Sequence, residues 1–184
     1  MDWMIAVQAI WLILPAYIAN SSAVILGGGT PIDFGKKWRG RRLLGDGKTW
    51  RGFFGGIIAG MIAGLVMNVV APNTFGEYPS FIFIIFSLSC GALLGDIAES
   101  FIKRQMGKER GEKWILFDQL DFLIGAFIFS YIMSVVLEKL ASSENWFYSS
   151  FTIWHIISLL IFTPLLHYAT NVIGYLLKLK KVPW

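Results

Sequence analysis

Five long apolar segments limit what this 184-residue chain can fold into. They cover roughly residues 3–26, 53–71, 80–95, 117–137 and 153–177. A helix needs about 20 apolar residues to cross a hydrocarbon core of about 30 Å, and these segments are close to that length or longer. Their side chains do not alternate between apolar and polar, so they predict helices rather than the strands of a membrane barrel. The composition, 55% hydrophobic and 15% charged, is typical of a membrane protein. We therefore expect an all-α integral membrane protein in which residues 1–184 form a single domain with five transmembrane helices.

The basic residues predict how this protein is oriented. Of the sixteen Lys and Arg residues, seven lie in the loop 27–52 and five in the loop 95–116. Three more lie in the carboxyl-terminal tail, at Lys178, Lys180 and Lys181, which leaves only Lys139 for the other side. Because basic loops stay in the cytoplasm, we expect the amino terminus outside, the carboxyl terminus inside and two functional cytoplasmic loops. The cations interleave with Gly and Asp beside membrane helices, so they indicate attraction to anionic lipid rather than binding of nucleic acid.

The second cytoplasmic loop is unusually rich in charge. Its carboxylates include Asp96, Glu99, Asp118 and Asp121, and its cations are Lys103, Arg104, Lys108, Arg110 and Lys113. Asp96, Glu99 and Lys103 have the spacing of one helix face, which predicts that the third helix continues beyond the apolar segment. Asp118 and Asp121 share a face at the start of the fourth helix. Charges beside a bilayer are costly, so we interpret this cluster as functional.

Carboxylates placed in pairs at the membrane edge indicate a metal site. Asp118 and Asp121 would repel each other unless a cation lay between them, and Mg²⁺ prefers oxygen ligands. We therefore predict Mg²⁺ as the cofactor, with Asp96, Asp118 and Asp121 as its ligands. The alternative is internal ion pairing with Lys113 or Arg110. Because carboxylates, lysines and arginines together can hold both a metal and a phosphate, the loop predicts phosphate chemistry at a membrane surface.

The first cytoplasmic loop is rich in glycine, which forms eight of residues 27–52. Gly47-Lys48-Thr49 resembles part of a P-loop, but that motif needs Gly where this chain has Arg42, and no strand precedes it. A solvated basic loop explains residues 36–42. The remaining polar residues just before the second helix are predicted to contact phosphates: Asp46, Lys48, Thr49 and Arg51. Asn20, near the end of the first segment, could contact a nucleotide or bond to another helix.

These residues resemble a known family signature. The matching run is Gly95-Asp96-x-x-Glu99-Ser100-x-x-Lys103-Arg104, then Gly107, Gly111 and Asp118-Gln119-x-Asp121. It is similar to the signature of the membrane CTP:phosphatidate cytidylyltransferases. Gln119 stands where the bacterial and eukaryotic branch has arginine, which argues against a diacylglycerol substrate. The short length, the five apolar segments and the loop 45–52 most closely resemble the archaeal branch, the CDP-archaeol synthases. The resemblance extends over about residues 20–125.

The resemblance implies a reaction and a role for each candidate residue. Members of the archaeal branch use CTP and 2,3-di-O-geranylgeranylglyceryl phosphate, an isoprenoid ether lipid, and release pyrophosphate. A phosphomonoester has its second pKa near 6, so the nucleophile is largely ionised at neutral pH and no general base is required. The implied catalytic residues are Asp96, Lys103, Asp118 and Asp121. The implied ligand-binding residues are Asn20, Asp46, Lys48, Thr49, Arg51, Glu99, Ser100 and Arg104.

Two other functions remain open from the residues alone. A CTP-dependent lipid kinase, such as a polyprenol kinase, would use similar side chains but would release CDP rather than pyrophosphate. A transporter would place ionisable residues near the membrane midplane and often contains inverted repeats. The acidic cluster here lies at the membrane border, which favours an enzyme.

Overall fold

The computed structural model describes residues 3–108, 112, 114 and 117–176. Its elements are α1 (Trp3–Ile25), β1 (Lys37–Trp38), β2 (Arg41–Arg42), α2 (Trp50–Val70), α3 (Ser80–Gln105), α4 (Phe117–Ala141), α5 (Trp146–Ser150) and α6 (Ile153–Leu176). Helices α1 to α4 are long and apolar enough to cross a membrane, which confirms a multi-pass helical membrane protein. Helix α6 has 24 residues and is apolar over 153–166 in its described part. Arg110, Lys113 and the tail lysines, which the sequence predictions used, lie outside the described residues.

Helix α3 is longer than its apolar segment. The sequence predicted a third span over 80–95, but the helix continues without a break to Gln105. The edge of the hydrocarbon core ends the apolar run and does not end the helix, because the backbone hydrogen bonds continue through the polar residues. Lys103 and Arg104 in the last turn favour this extension through the helix dipole. Asp96, Glu99 and Lys103 therefore lie on one continuous helix, as their spacing predicted.

The bundle has an apolar interior and an apolar exterior. Ile13, Leu88 and Phe122 are almost fully buried where α1, α3 and α4 meet. On the outward face of α2, Ile58 and Ile62 are 57% and 58% exposed. An apolar exterior of this kind would be unfavourable in water and is expected for helices surrounded by lipid.

Glycines allow α2 to pack directly against the backbone of α1. Gly52, Gly56, Gly60 and Gly64 recur every four residues along one face of α2. A Cβ on Gly56 would lie 2.6 Å from the Ala19 carbonyl oxygen, and a Cβ on Gly60 would lie 2.7 Å from that of Pro15. Since helices in lipid associate mainly through close packing, these positions require glycine.

Glycines also set the crossing of α3 and α4. A Cβ on Gly91 would lie 2.7 Å from the Gly125 carbonyl oxygen, and a Cβ on Gly95 would collide with the backbone oxygen of Asp121. The two helices therefore touch backbone to backbone at Gly95. This contact places Asp96, the residue after Gly95, beside Asp121.

The first loop contains a small β-hairpin whose two strands have two residues each, which the all-α prediction did not include. Strand β1 pairs antiparallel with β2, with Lys37 opposite Arg42. The connecting residues Arg39 and Gly40 both have positive φ, 50° and 80°, as a tight hairpin turn with right-handed twist requires. The hairpin contacts the end of α3, because the Arg41 guanidinium donates a hydrogen bond to the Gln105 carbonyl oxygen. The fold thus holds the two predicted loops together.

Candidate functional site

A polar cavity of about 540 Å³ lies where the two loops meet the ends of α1, α3 and α4. Nine of the twelve side chains proposed from sequence line it: Asp46, Lys48, Asp96, Glu99, Ser100, Lys103, Arg104, Asp118 and Asp121. The backbone of Gly27, Gly28 and Gly47 completes the wall on the side of the first loop. The nine candidate side chains, separated by up to 75 positions in the chain, therefore face one space.

Lys48 joins the first loop to α3. Its Nζ lies 2.5 Å from Oδ2 of Asp96, and both side chains are about four-fifths buried. Such a charge-assisted hydrogen bond is among the stronger polar contacts in proteins. Removing either partner would leave a largely buried charge without compensation. The pair therefore fixes the first loop over the carboxylates of α3.

Lys103 makes the second ion pair of the cavity. Its Nζ lies 2.6 and 2.9 Å from the two carboxylate oxygens of Asp118, and 3.9 Å from Oε1 of Glu99. The backbone N–H of Trp114 also donates to Asp118, at 3.0 Å. Lys103 thus lies between carboxylates of α3 and α4, where the sequence analysis had expected a metal or an ion pair with Lys113 or Arg110.

Glu99 and Asp121 carry the most deeply buried carboxylates of the cavity. Asp121 is 8% exposed, and its Oδ1 accepts a hydrogen bond from the Phe122 backbone N–H at 2.6 Å. Oε1 of Glu99 is buried and has no hydrogen-bond partner among the described residues. The Lys103 ammonium, 3.9 Å away, is beyond hydrogen-bond distance, so this oxygen is available to a ligand that brings a donor or a second positive charge.

The charges of the cavity favour a cation. Among the described residues, five carboxyl groups and three cations line it, a formal excess of two negative charges when all of them are ionised. Every carboxylate offers oxygen, the ligand type that hard divalent ions prefer. Asp96, Asp118 and Asp121 face the same space, but within the described part no three such side chains already converge as a metal cluster. Two of the three predicted metal ligands form ion pairs with lysines instead: Asp96 with Lys48, and Asp118 with Lys103.

Three predicted residues lie outside the cavity wall. The Thr49 hydroxyl caps α2, since it accepts hydrogen bonds from the backbone N–H groups of Gly28 and Gly52, both at 3.2 Å. The Arg51 guanidinium donates to the carbonyl oxygens of Leu26 and Gly27 at the end of α1. Both residues join α1 to α2. Asn20 lines a separate apolar groove between α1, α4 and α6.

Asp33 was missed by the sequence analysis, although it organises the first loop. Its side chain is fully buried and accepts hydrogen bonds from the Arg42 guanidinium and from the backbone N–H groups of Gly35, Leu44 and Gly45. Burial alone would raise the pKa of Asp33, but these hydrogen bonds outweigh it and hold the pKa well below its usual range. The available signal was an aspartate two residues before a glycine, a common turn pattern.

Through Arg42, Asp33 also helps to hold Asp46 at the wall of the cavity. The same guanidinium that binds Asp33 lies 2.8 Å from Oδ1 of Asp46 at the cavity mouth. Beyond Asp46, the segment leads directly to Lys48.

The glycines on the packing face of α2 were a second signal that the sequence analysis missed, because their four-residue spacing is visible in the sequence.

Comparisons with known proteins agree along the whole chain. A family model described as CarS-like: CDP-archaeol synthase matches residues 2–184. The chain is 47% identical over 178 residues to a CDP-archaeol synthase from Pyrococcus abyssi, which covers 96% of this chain and 97% of the relative. It is 44% identical over 183 residues to one from Methanosarcina barkeri, covering 93% and 99%. It also resembles a solved intramembrane enzyme for archaeal membrane lipid biosynthesis, with a TM-score of 0.72 and 38% identity over 89% of this chain and 92% of that one.

Proposed function

The chain belongs to the CDP-archaeol synthase family, and we propose that its polar cavity is where CTP and the lipid phosphate meet. It is a membrane cytidylyltransferase that forms CDP-archaeol with CTP as the nucleotide donor. The kinase and transporter alternatives are thereby set aside. The observation that supports the cavity as the site is that nine of the candidate side chains, chosen from two separate loops, line one space.

The reaction needs one bond to form and one to break. An oxygen of the lipid phosphate attacks the α-phosphorus of CTP, and the bond from that phosphorus to the bridging oxygen of the pyrophosphate breaks. The products are a CDP-lipid and pyrophosphate. Because the lipid phosphate is largely ionised at neutral pH, the protein has no proton to remove from the nucleophile. Its task is to hold two polyanions together and to stabilise the charge that develops on the leaving pyrophosphate.

Members of the family generally depend on a divalent metal, and we propose Mg²⁺ here. Asp96, Asp118 and Asp121 would hold it, with Glu99 contributing its buried oxygen. Two observations support this assignment: carboxyl groups outnumber cations in the cavity, and the atoms available as metal ligands are carboxylate oxygens. When bound, the ion would offset phosphate charge and polarise the reacting phosphoryl group.

The lysines then have two successive roles in this proposal. Before substrate binds, Lys48 and Lys103 neutralise Asp96 and Asp118 and hold them in the cavity. When phosphates enter, the lysine ammonium groups bind them, and the carboxylates become available as ligands. Arg104, whose Nη1 donates to the Lys108 carbonyl oxygen at 2.6 Å, provides a further cation at the cavity wall.

We also propose the topology that the basic residues predict. In this arrangement α6 is the fifth span, residues 1–184 form one membrane domain, and the cavity faces the cytoplasm. Water-soluble CTP then reaches the site from the cytoplasm, while the lipid phosphate arrives from the inner leaflet. The basic first loop and the cavity lie at the same end of the bundle, which supports this orientation.

Cysteine protection tests the cavity without relying on turnover. Cys90 would be replaced by Ala, and Ser100→Cys would place one thiol in the cavity wall, where Ser100 is 8% exposed. We expect CTP with Mg²⁺ to slow alkylation of that thiol about tenfold or more, because the bound nucleotide excludes the reagent. Tyr78→Cys, in the loop between α2 and α3, is the matched control and should show no protection. Equal alkylation of Ser100→Cys with and without CTP would contradict the proposed site.

A product assay on the purified protein checks the chemistry. Labelled CTP with Mg²⁺ and the isoprenoid lipid phosphate should give a CDP-lipid and an equal amount of pyrophosphate. Release of CDP, together with phosphorylation of a lipid alcohol, would instead indicate a kinase.

A further inference from the structure

A second, largely apolar groove lies beside the polar cavity. It measures about 430 Å³ and is formed by α1, with Phe122 from α4 and Leu166 from α6. From Ile10 to Ser22 it follows α1 for about 18 Å, given a rise of about 1.5 Å per residue. The Tyr17 hydroxyl and the Thr163 hydroxyl, 2.6 Å apart, join α1 to α6 beside it.

The lining of the groove changes in polarity along α1. Ile10, Leu14 and Ile18 line its apolar part, and Asn20 to Ser22 line the end nearest the polar cavity. Two residues further along the helix, Val24 already lines the polar cavity. The helix therefore presents an apolar, then a polar, then a charged environment in sequence.

Helix α4 forms the boundary between the two spaces. Asp121 lines the polar cavity and Phe122 lines the groove. Successive residues of a helix point about 100° apart, so one turn of α4 faces both spaces. Phe122 is 1% exposed, which makes it a fixed wall. A ligand whose phosphate lay beside the cations of the polar cavity would have its apolar part near Phe122.

From this arrangement we propose that the groove binds an isoprenoid chain of the lipid phosphate, while Asn20 contacts the polar glyceryl end of the same molecule. The inference rests on the proposed function of the polar cavity and adds the location of the lipid. It also gives Asn20 a different role from the nucleotide contact considered from sequence. The apolar to charged order along α1 matches the order of a lipid phosphate from its tail to its phosphate.

Filling the groove tests this assignment. Ile18→Trp places an indole in the groove, and Ile62→Trp on the lipid-facing side of α2 is the matched control. Each enzyme would be assayed with a long-chain isoprenoid diether phosphate and with a short-chain diether glyceryl phosphate. We expect the ratio of kcat/KM for the long chain over the short chain to fall about tenfold in Ile18→Trp and to stay within about twofold of wild type in Ile62→Trp. An unchanged ratio in Ile18→Trp would overturn the proposal.

Asn20→Leu separates the lipid role from a nucleotide role. We expect the KM for the lipid phosphate to rise about fivefold or more and the KM for CTP to change less than about twofold, since only the lipid loses a hydrogen bond. A rise confined to the KM for CTP would overturn the assignment of Asn20.

Photo-crosslinking gives a readout that does not depend on turnover or on the variants folding. Wild-type protein would be irradiated with a geranylgeranylglyceryl phosphate that carries a diazirine on the chain. Labelled peptides from residues 10–22 of α1 or from α6 would support the groove, and labels confined to α2 and α3 would contradict it. Failure of the proposed function would look different, because the wild-type enzyme would then release no pyrophosphate with either lipid.

Discussion

Lys48 and Lys103 explain how so many carboxylates can lie together at the edge of a membrane. Each lysine binds one aspartate from a different element, with distances of 2.5 Å for Asp96 and 2.6 Å for Asp118. Removing one partner of a buried pair commonly costs about 3–5 kcal/mol, because the other charge remains unpaired. Substituting either lysine would therefore disturb structure as well as turnover. Neutral, isosteric replacement of a carboxylate is the cleaner test.

At the residue scale, we predict that Asp121→Asn reduces CDP-lipid formation about 100-fold or more, because it removes a charge that the phosphate reaction requires. Asp121 makes no described contact with Lys48 or Lys103, and its backbone-bonded oxygen is preserved in Asn. Pyrophosphate release at saturating CTP measures the effect.

The control for Asp121→Asn is Glu77→Gln, which changes a carboxylate in the loop between α2 and α3. It should retain wild-type turnover, and both proteins should elute as folded species in detergent. Full turnover by Asp121→Asn at low Mg²⁺ would remove this residue from the metal site.

At the element scale, the glycine contact between α3 and α4 determines the geometry of the site. Asp96 and Asp121 lie next to each other because Gly95 lets the backbone of one helix touch that of the other. The i, i+3 spacings placed charges correctly on each helix, but they did not indicate how closely the two helices approach. The close approach is a property of residues without side chains, which a search for charged groups passes over.

Gly95→Ala should therefore weaken both stability and activity. Its Cβ would meet the Asp121 backbone oxygen, which cannot move independently of α4. We expect the Tm in detergent to fall by roughly 5 °C or more, as overpacking costs about 1–3 kcal/mol. Gly55→Ala is the matched control, because its Cβ would meet only the side chain of Leu26, at 2.9 Å from Cδ1, and no backbone atom of another helix. A Gly95→Ala protein as stable and as active as Gly55→Ala would contradict this account of the helix crossing.

The hairpin loop gives a prediction that depends on pH. The folded-state pKa of Asp33 lies below its unfolded value, so its stabilising effect is fully present above the unfolded pKa and is lost as the pH falls through the folded pKa. A fluorophore on Lys37→Cys, in a Cys90→Ala background, would report opening of the loop. We expect the wild-type loop to stay closed until the pH is below the usual carboxyl range.

Asp33→Asn should open the same loop at neutral pH. The asparagine cannot retain the charge-assisted hydrogen bonds from Arg42, and hydrogen bonds to charged groups are worth about 1.5–3 kcal/mol each. The loop should then open more often, and trypsin should cleave at Arg39 or Arg41 about tenfold faster or more. The control is Glu144→Gln, in the loop before α5, which should be cleaved at Arg39 or Arg41 at the wild-type rate. Equal cleavage of Asp33→Asn and wild type would exclude Asp33 as the organiser of the loop.

At the scale of the whole molecule, charge is separated from apolar surface along the bundle. The polar cavity lies at one end of α1, α3 and α4, and lipid-facing side chains cover the outer faces between the ends. If the cavity faces the cytoplasm, Lys37→Cys in a Cys90→Ala background should be labelled by an impermeant thiol reagent only in inside-out vesicles. Glu77→Cys in the same background should be labelled only in right-side-out vesicles. The opposite pattern would reverse the proposed orientation.

The sequence alone determined the helical membrane class, the family and most of the candidate residues. These depend on local properties: apolar length, the spacing of Asp96, Glu99 and Lys103 on one helix, and a signature within one loop. Only the tertiary structure decided that Lys48 pairs with Asp96, that Thr49 and Arg51 join α1 to α2, that Asp33 organises the hairpin, and that Asn20 lies in an apolar groove. The physical reason is that the contacts between elements depend on how closely helices pack, and glycine contacts between distant parts of the chain set that distance. The contacts of Asp33 depend instead on how the first loop folds back on itself.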